Sequence, residues 1–124
     1  MTTKFICSTP ILIVNDAAKA RDFYVNKLGF EVSFEWGEPP IYVGLHKDGV
    51  EIHLNSASNA PHEAGRGELS ISTDEVDQLY EQCVQHGVEI MIAPGNREYG
   101  MRDFGIKDLD GNAINFGCEL QDGN

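Results

Sequence analysis

The chain has 124 residues, of which 41% are hydrophobic and 9% aromatic, which is enough for one packed domain. A membrane helix needs an apolar run of about 18 residues, and the chain contains no such run. Its first residues lack the apolar segment of a signal peptide. The formal net charge of −11 argues against nucleic acid as a partner and favours a cationic small molecule. The alternative is that the charge only keeps the protein in solution.

The first half of the chain predicts a strand, a helix and three more strands. Residues 9–14 form a β-rich run, and Asp16 is placed to cap a helix that ends near Leu28. Gly29 follows as the expected stop of that helix. Turn residues then separate three further predicted strands, at 30–36, 41–47 and 50–55.

A second half with the same order follows a linker. Residues 56–66 are small, polar and without periodicity, which is typical of a connecting segment. Residues 68–73 alternate as a strand, and Asp74 is placed to cap a helix through Gln85. Gly87 is the expected stop, and the remaining predicted strands lie at 88–92, 101–107 and 113–118.

The two halves repeat at a fixed offset. Asp16 and Asp74 are 58 residues apart (74 − 16), and so are Gly29 and Gly87 (87 − 29). Agreement of cap, helix, stop and strand indicates a duplication. We therefore predict an α+β fold of paired βαβββ modules that form a curled mixed sheet around a cleft. The single domain spans 1–124, with modules at 5–55 and 67–120.

Alternation along the strands predicts which side chains line that cleft. Apolar residues on one face of each strand must pack under the helices, which leaves polar, small or aromatic residues on the other face. Aromatic rings on the cleft side would stack on a planar ligand, although Phe34 and Trp36 are equally suited to a core or a dimer contact. The predicted ligand-binding residues are Phe34, Trp36, Tyr42, Glu51, His53, Glu68, Asp103 and Asn115.

Three stretches carry a resemblance to a known family. They are Thr9-Pro-Ile-Leu-Ile-Val-Asn-Asp16, Asp22-Phe-Tyr-Val-Asn-Lys-Leu-Gly-Phe30 and Gly100-Met-Arg-Asp-Phe-Gly-Ile-Lys-Asp-Leu-Asp-Gly-Asn112. With them the chain resembles the vicinal oxygen chelate superfamily, which includes glyoxalase I, extradiol dioxygenases and fosfomycin- and bleomycin-resistance proteins. The resemblance is closest to the bleomycin-resistance proteins. One fold hosts several chemistries here, so the function needs its own argument.

The resemblance implies a binding protein that works as a dimer. Bleomycin-resistance proteins are acidic homodimers that exchange the N-terminal strand and hold a cationic drug in grooves at the interface. By resemblance, Pro10 would lie at the hinge of such an exchange, although proline is also simply tolerated on an edge strand. We expect this chain to sequester a cationic or planar compound, such as a bleomycin-type antibiotic, in a dimer-interface cleft.

The resemblance leaves a metal-dependent enzyme as the alternative. Metal-dependent relatives place ligands at positions that match Thr9, Glu51 or His53, Glu68 and Asn115 in this sequence. Threonine and asparagine are poor ligands for a catalytic transition metal, so we expect no cofactor. The alternative is a glyoxalase-type lyase or dioxygenase with a divalent ion on Glu51, His53 and Glu68.

Two smaller expectations concern the cysteines and histidines. Three cysteines at wide spacings (Cys7, Cys83 and Cys118) argue against a disulfide framework and favour a reducing, cytoplasmic location. No serine or cysteine is placed in a motif with a histidine. We therefore expect each histidine to lie far from a serine or cysteine that it would activate.

Overall fold

The computed structural model of the chain describes residues 2–121, so residue 1 and residues 122–124 of the predicted domain lie outside the described residues. The described elements follow the order β-α-β-β-β twice, as the repeat predicts. No helix within residues 2–121 is long and apolar enough to cross a membrane. The elements are β1 (Ile11–Val14), α1 (Ala17–Leu28), β2 (Glu31–Trp36), β3 (Tyr42–Lys47), β4 (Val50–Ser56), a 3₁₀ turn (Ala57–Asn59), β5 (Glu68–Ser72), α2 (Val76–Gln85), β6 (Glu89–Asn96), β7 (Met101–Lys107) and β8 (Ala113–Glu119).

Each module forms its own four-stranded mixed sheet. The strand orders are β1-β4-β3-β2 and β5-β8-β7-β6, and the pairs β1–β4 and β5–β8 are parallel. The predicted α+β fold of paired βαβββ modules is confirmed. The sheet, however, is in two parts that do not close, because the first strand of each module pairs with the last strand of the same module. Within the described residues no strand pair joins the two sheets.

The two helices begin differently. Asp16 caps α1 as predicted, since its carboxylate accepts hydrogen bonds from the backbone N–H groups of Ala18 and Lys19. The predicted cap at Asp74 is wrong: Glu75 occupies the N-cap position of α2 and its side chain makes no capping hydrogen bond. The helix starts are 59 residues apart (76 − 17), so the 58-residue offset fails at this end of the repeat.

The helix ends and the strand after α2 also differ in detail. Gly29 adopts a left-handed conformation directly after α1, as predicted, and Gly87 does so one residue beyond the C-cap of α2. Strand β6 extends four residues beyond its predicted end at residue 92 (96 − 92). Its extension contains Pro94, which an edge strand with shifts in register accommodates.

One hydrophobic core spans both modules. The apolar faces predicted for the strands are buried, and both helices contribute to the same cluster. Because that core occupies one side of each sheet, the opposite faces carry the polar and aromatic residues. The buried strand residues with the predicted orientation include Ile52, Leu54, Ile71, Phe104, Ile106, Ile114 and Phe116.

A turn between β7 and β8 fastens the second module to the first. The buried Tyr24 hydroxyl donates to Asp108 Oδ2 at 2.8 Å, and the Asn112 amide donates to the same oxygen at 3.0 Å. The Asn112 amide also donates to the carbonyl of Ile13, while its own oxygen accepts from the N–H of Gly67. These bonds satisfy buried polar groups and fix the two modules relative to each other.

The asymmetry of the two N-caps gives a test of the helix starts. We expect Asp16→Ala to lower the free energy of unfolding by about 1 kcal/mol, because two N–H groups lose their acceptor. Glu75→Ala is the matched control and should change stability little, since its side chain caps nothing. Urea unfolding followed by circular dichroism measures both. Equal losses would contradict the assignment.

Candidate functional site

Aromatic residues gather on the outer face of the first sheet. Phe34 of β2 lies opposite Gly44 of β3, and Trp36 lies opposite Tyr42. His53 of β4 lies opposite Gly44 on its other side. Strand pairing therefore puts four rings on one face, which we call the aromatic face: Phe34, Trp36, Tyr42 and His53.

Glycine makes the packing of these rings possible. A Cβ at Gly44 would overlap the Phe34 ring, so the absence of a side chain lets that ring lie over β3. The Phe34 and Tyr42 rings are nearly parallel, with 13° between their planes and 6.1 Å between their centroids. His53 meets Phe34 edge-on at 5.2 Å. Phe34 and Trp36 remain 41% and 62% exposed, so the face is open to a ligand.

His53 is held by hydrogen bonds at both ring nitrogens. The Tyr42 hydroxyl lies 2.8 Å from Nδ1, and Glu51 Oε2 lies 2.8 Å from Nε2. A carboxylate only accepts, so Nε2 carries the hydrogen, and the Nδ1 of the neutral ring accepts from the tyrosine. Burial raises the pKa of the Tyr42 hydroxyl, which keeps it protonated as the donor.

A second histidine that lies between a carboxylate and a hydroxyl was missed from the sequence. Ser33 Oγ lies 2.7 Å from His46 Nδ1, and Glu31 Oε2 lies 3.2 Å from His46 Nε2. The expectation that each histidine lies far from a serine or cysteine is therefore wrong. The register of β2 against β3 shifts between Val32 and Phe34, which brings Ser33 to His46. Simple alternation along the strand gives no signal for such a bulge.

The second sheet presents a buried ion pair instead of rings. Asp103 is 5% exposed, and its carboxylate accepts from Arg97 Nε and from the Tyr99 hydroxyl, each at 2.7 Å. These two bonds, with a smaller contribution from Asn115, hold the pKa of Asp103 below its ordinary value. Arg97 is a loop residue after β6 that sequence reasoning overlooked. The predicted site residue Asp103 thus already has its counter-charge.

The structure divides the predicted site residues into two groups. Five lie on the first sheet and three lie on the second. Glu68 is exposed on β5, and β5 pairs with β8, the strand that carries Asn115. In the described part of the chain, no hydrogen bond or ring contact joins the groups. The first comprises Phe34, Trp36, Tyr42, Glu51 and His53, and the second comprises Glu68, Asp103 and Asn115.

The residues of one chain do not fit a metal ion. Both ring nitrogens of His53 are engaged in hydrogen bonds, to Tyr42 and to Glu51, which leaves the imidazole no free lone pair for a metal. Glu68 lies on the other sheet. Among residues 2–121 no three His, Cys, Asp or Glu side chains are close enough together to bind one.

Comparison with known proteins places this fold in one family. A model of the Glyoxalase/Bleomycin resistance protein/Dioxygenase superfamily matches residues 6–116. No curated protein sequence matches the chain significantly.

Among solved structures, three illustrate the range of similar proteins. A member of the same superfamily from Sphaerobacter thermophilus is 29% identical, with a TM-score of 0.80, 92% of this chain covered and 97% of that one. The bleomycin-binding protein of Streptomyces verticillus, in complex with copper(II)-bleomycin, is 22% identical, with a TM-score of 0.75 and 98% and 100% covered. A lactoylglutathione lyase from Agrobacterium tumefaciens is 18% identical, with a TM-score of 0.76 and 94% and 95% covered.

The ion pair on the second sheet makes a prediction about stability and pH. We expect Arg97→Ala to lower the free energy of unfolding by about 2 kcal/mol at neutral pH, because it leaves the buried Asp103 carboxylate without its charged donor. Because the pKa of Asp103 is lower in the folded protein than in the unfolded chain, the ionised carboxylate stabilises the folded state above the ordinary pKa of ~4. This stabilisation is lost as the pH falls through the lowered pKa of the folded state. The loss in Arg97→Ala should therefore shrink in acid.

The control for this prediction is a second arginine ion pair, on the surface. Arg102 binds Asp77, whose side chain is exposed, so Arg102→Ala should change stability far less than Arg97→Ala. Chemical unfolding at neutral and acidic pH gives both numbers. A loss in Arg97→Ala that stays constant with pH would contradict the assigned role of Asp103.

Proposed function

This chain belongs to the Glyoxalase/Bleomycin resistance protein/Dioxygenase superfamily, and we propose that it binds a planar, cationic small molecule in a cleft between two copies of itself. The observation that carries the proposal is the open aromatic face. Large aromatic side chains are normally buried, and a cluster of exposed rings on one sheet face is typical of a binding surface.

The geometry of the rings suits a flat ligand. Phe34 and Tyr42 are already nearly parallel, and Trp36 stands opposite Tyr42 across the strand pair with most of its ring free. A planar aromatic ligand would stack on such rings, with about 0.5–1.5 kcal/mol for each ring pair beyond the buried area. A positive charge on the ligand adds a cation–π attraction to the same surface.

Charge favours a cation over an anion. The whole chain carries −11, and the carboxylates of Glu31 and Glu51 border the aromatic face with only imidazole partners. A neutral imidazole leaves the full negative charge on each carboxylate. Such a surface attracts cations and speeds their association.

A second copy of the chain would complete the site. In one chain the aromatic face lies on the first sheet, whereas Glu68, Asp103 and Asn115 lie on the second. Residues 2–10 form no strand, and Phe5 and Ile6 in this arm are 97% and 88% exposed. Two such apolar residues call for a partner surface. We take this to be the other copy, with Pro10 at the hinge of the exchanged arm.

A cleft between the modules is the proposed receptor of that arm. Its volume is about 750 Å³, and Ser8 and Pro10, at the base of the arm, are part of its wall. The rest of the wall is mainly apolar, which suits the side chains of Phe5 and Ile6. Apolar residues in the wall include Leu28, Phe30, Leu69, Ile71, Leu79 and Phe116.

We favour binding over metal-dependent catalysis for a chemical reason. A lyase or dioxygenase of this superfamily needs ligands with free lone pairs, and His53 offers none while Tyr42 and Glu51 hold it. Calorimetry with nickel, zinc, iron and manganese separates the two functions. Stoichiometric binding together with turnover of a hemithioacetal or a catechol would favour the enzyme.

The first test of the binding function uses Trp36. We expect the protein to bind the planar cation proflavine in calorimetric titration, and Trp36→Ala to weaken binding about tenfold because one stacking surface is lost. Val84→Ala is the control, since Val84 is an exposed apolar residue on α2, away from the aromatic face. Bleomycin is titrated in parallel. Equal affinities of Trp36→Ala and wild type would overturn the role of this face.

The second test concerns the arm. We expect a dimer in analytical ultracentrifugation, and a monomer when Phe5 and Ile6 are both replaced by aspartate, because charged side chains would not enter the apolar cleft. Replacing Thr2 and Thr3 by aspartate adds the same charge to the same arm and should leave the dimer intact. A wild-type chain that stays monomeric at about 100 μM, far above the usual Kd of stable dimers, would refute the exchange.

A further inference from the structure

Six side chains beside and within the aromatic face form two chains of polar contacts. Each chain runs from a carboxylate through an imidazole to a hydroxyl, and the two are joined by the pairing of His46 with Glu51 across β3 and β4. We call the six residues the relay patch. They are Glu31, His46 and Ser33 in one chain, and Glu51, His53 and Tyr42 in the other.

Hydrogen-bond chemistry fixes the direction of both chains when the imidazoles are neutral. A carboxylate accepts only, so the Nε2 of His53 donates to Glu51, and the carboxylate of Glu31, 3.2 Å from the Nε2 of His46, favours the tautomer with the hydrogen on that nitrogen. The Nδ1 atom of each ring is then an acceptor, which the Ser33 or Tyr42 hydroxyl satisfies by donating its hydrogen. Every hydrogen of the relay patch is therefore directed at another of its members.

What remains for a ligand is a set of acceptors. The carboxylates of Glu31 and Glu51 keep unshared lone pairs, and their side chains are 79% and 51% exposed. The hydroxyl oxygens of Ser33 and Tyr42 keep lone pairs as well. A ligand over the rings thus meets only acceptors in this patch. A group without N–H or O–H hydrogens would desolvate the carboxylates and give them no hydrogen bond in return.

We propose that the relay patch selects planar cations that carry N–H donors, and that protonation of His46 and His53 releases them. The selection rests on the proposed binding function and names the ligand class for that same face. An amino-substituted aromatic cation would stack on the rings and donate to Glu31 or Glu51. A fully N-alkylated cation of the same shape would gain the stacking alone.

Release follows from the charges around the two histidines. His46 faces Glu31 on β2 and Glu51 on β4, and His53 faces Glu51 and the Tyr42 hydroxyl. Lys47, the nearest cation in sequence, points to the helix side near Gly29. Protonating both rings changes the charge of the relay patch from −2 to 0, because two imidazolium ions now neutralise the two carboxylates.

Protonation also reverses the direction of the hydrogen bonds that the two hydroxyls make. Both nitrogens of an imidazolium donate, so the Tyr42 and Ser33 oxygens must accept and turn their own hydrogens outward. The surface that held N–H donors then presents O–H donors and no net charge. A cationic ligand loses its electrostatic attraction and its acceptors in the same step.

The experiment compares two dyes that share one planar cationic ring. Proflavine carries two free amino groups and a protonated ring nitrogen, whereas acridine orange methylated at its ring nitrogen carries no N–H hydrogen; both remain cationic from about pH 5 to about pH 8. At about pH 8 we expect proflavine to bind roughly tenfold more tightly, because only it donates to the carboxylates. At about pH 5 its affinity should fall roughly fivefold for each protonated histidine.

Variants assign the effect to the relay patch. The double substitution His46→Gln and His53→Gln should abolish the pH dependence of proflavine affinity, whereas His62→Gln, in the exposed linker, should retain it. Urea unfolding confirms that the double variant is folded. The affinity of the double variant for the ring-methylated acridine orange reports whether the aromatic face itself is intact.

The outcomes separate this inference from the proposed function. If Trp36→Ala weakens both dyes, yet wild type binds them equally at both pH values, the aromatic face binds ligands and the relay patch does not select them. If the double histidine variant keeps the pH dependence, the switch lies elsewhere and the assignment is overturned. If neither dye binds wild type at about pH 8, the proposed function itself fails for planar cations.

Discussion

The buried carboxylate of Asp108 is the constraint on which the arrangement of the whole molecule depends. It accepts from the Tyr24 hydroxyl, from the Asn112 side chain and from two backbone N–H groups of its own turn. A buried charge is tolerated only with such partners, so the turn, α1 and β1 must keep their mutual positions. With the modules fixed around one core, the second face of each sheet is left uncovered by that core.

The two modules have the same topology and have diverged in what their outer faces present. The first carries large rings and two carboxylate–imidazole–hydroxyl chains. The second carries an ion pair that is already neutral, between Arg97 and Asp103, among small residues such as Gly105 and Gly117. A ligand that needs stacking and negative charge finds both on the first face. The second face offers space and fixed polarity, which suits the opposite wall of a shared cleft.

Local patterns predicted much of the fold and part of the site. Strand alternation identified Phe34 and Trp36 as neighbours on one face, and the pairing with Gly44 and Tyr42 agrees with this. The helix at Asp16 followed from its cap, whereas the one at Asp74 did not, because the helix starts one residue beyond the repeat. Local rules work where the signal lies within a few residues, and they fail by one position where tertiary packing adjusts an end.

The sequence by itself determined the two βαβββ modules, the buried faces of the strands and the acidic character of the surface, since periodicity, caps and composition are local or additive properties. Only the tertiary structure decided which polar groups meet. Ser33 reaches His46 through a bulge, Arg97 finds Asp103 from a loop, and the predicted site residues fall on two sheets. Such contacts depend on register and on the relative placement of modules, which no periodicity along the chain specifies.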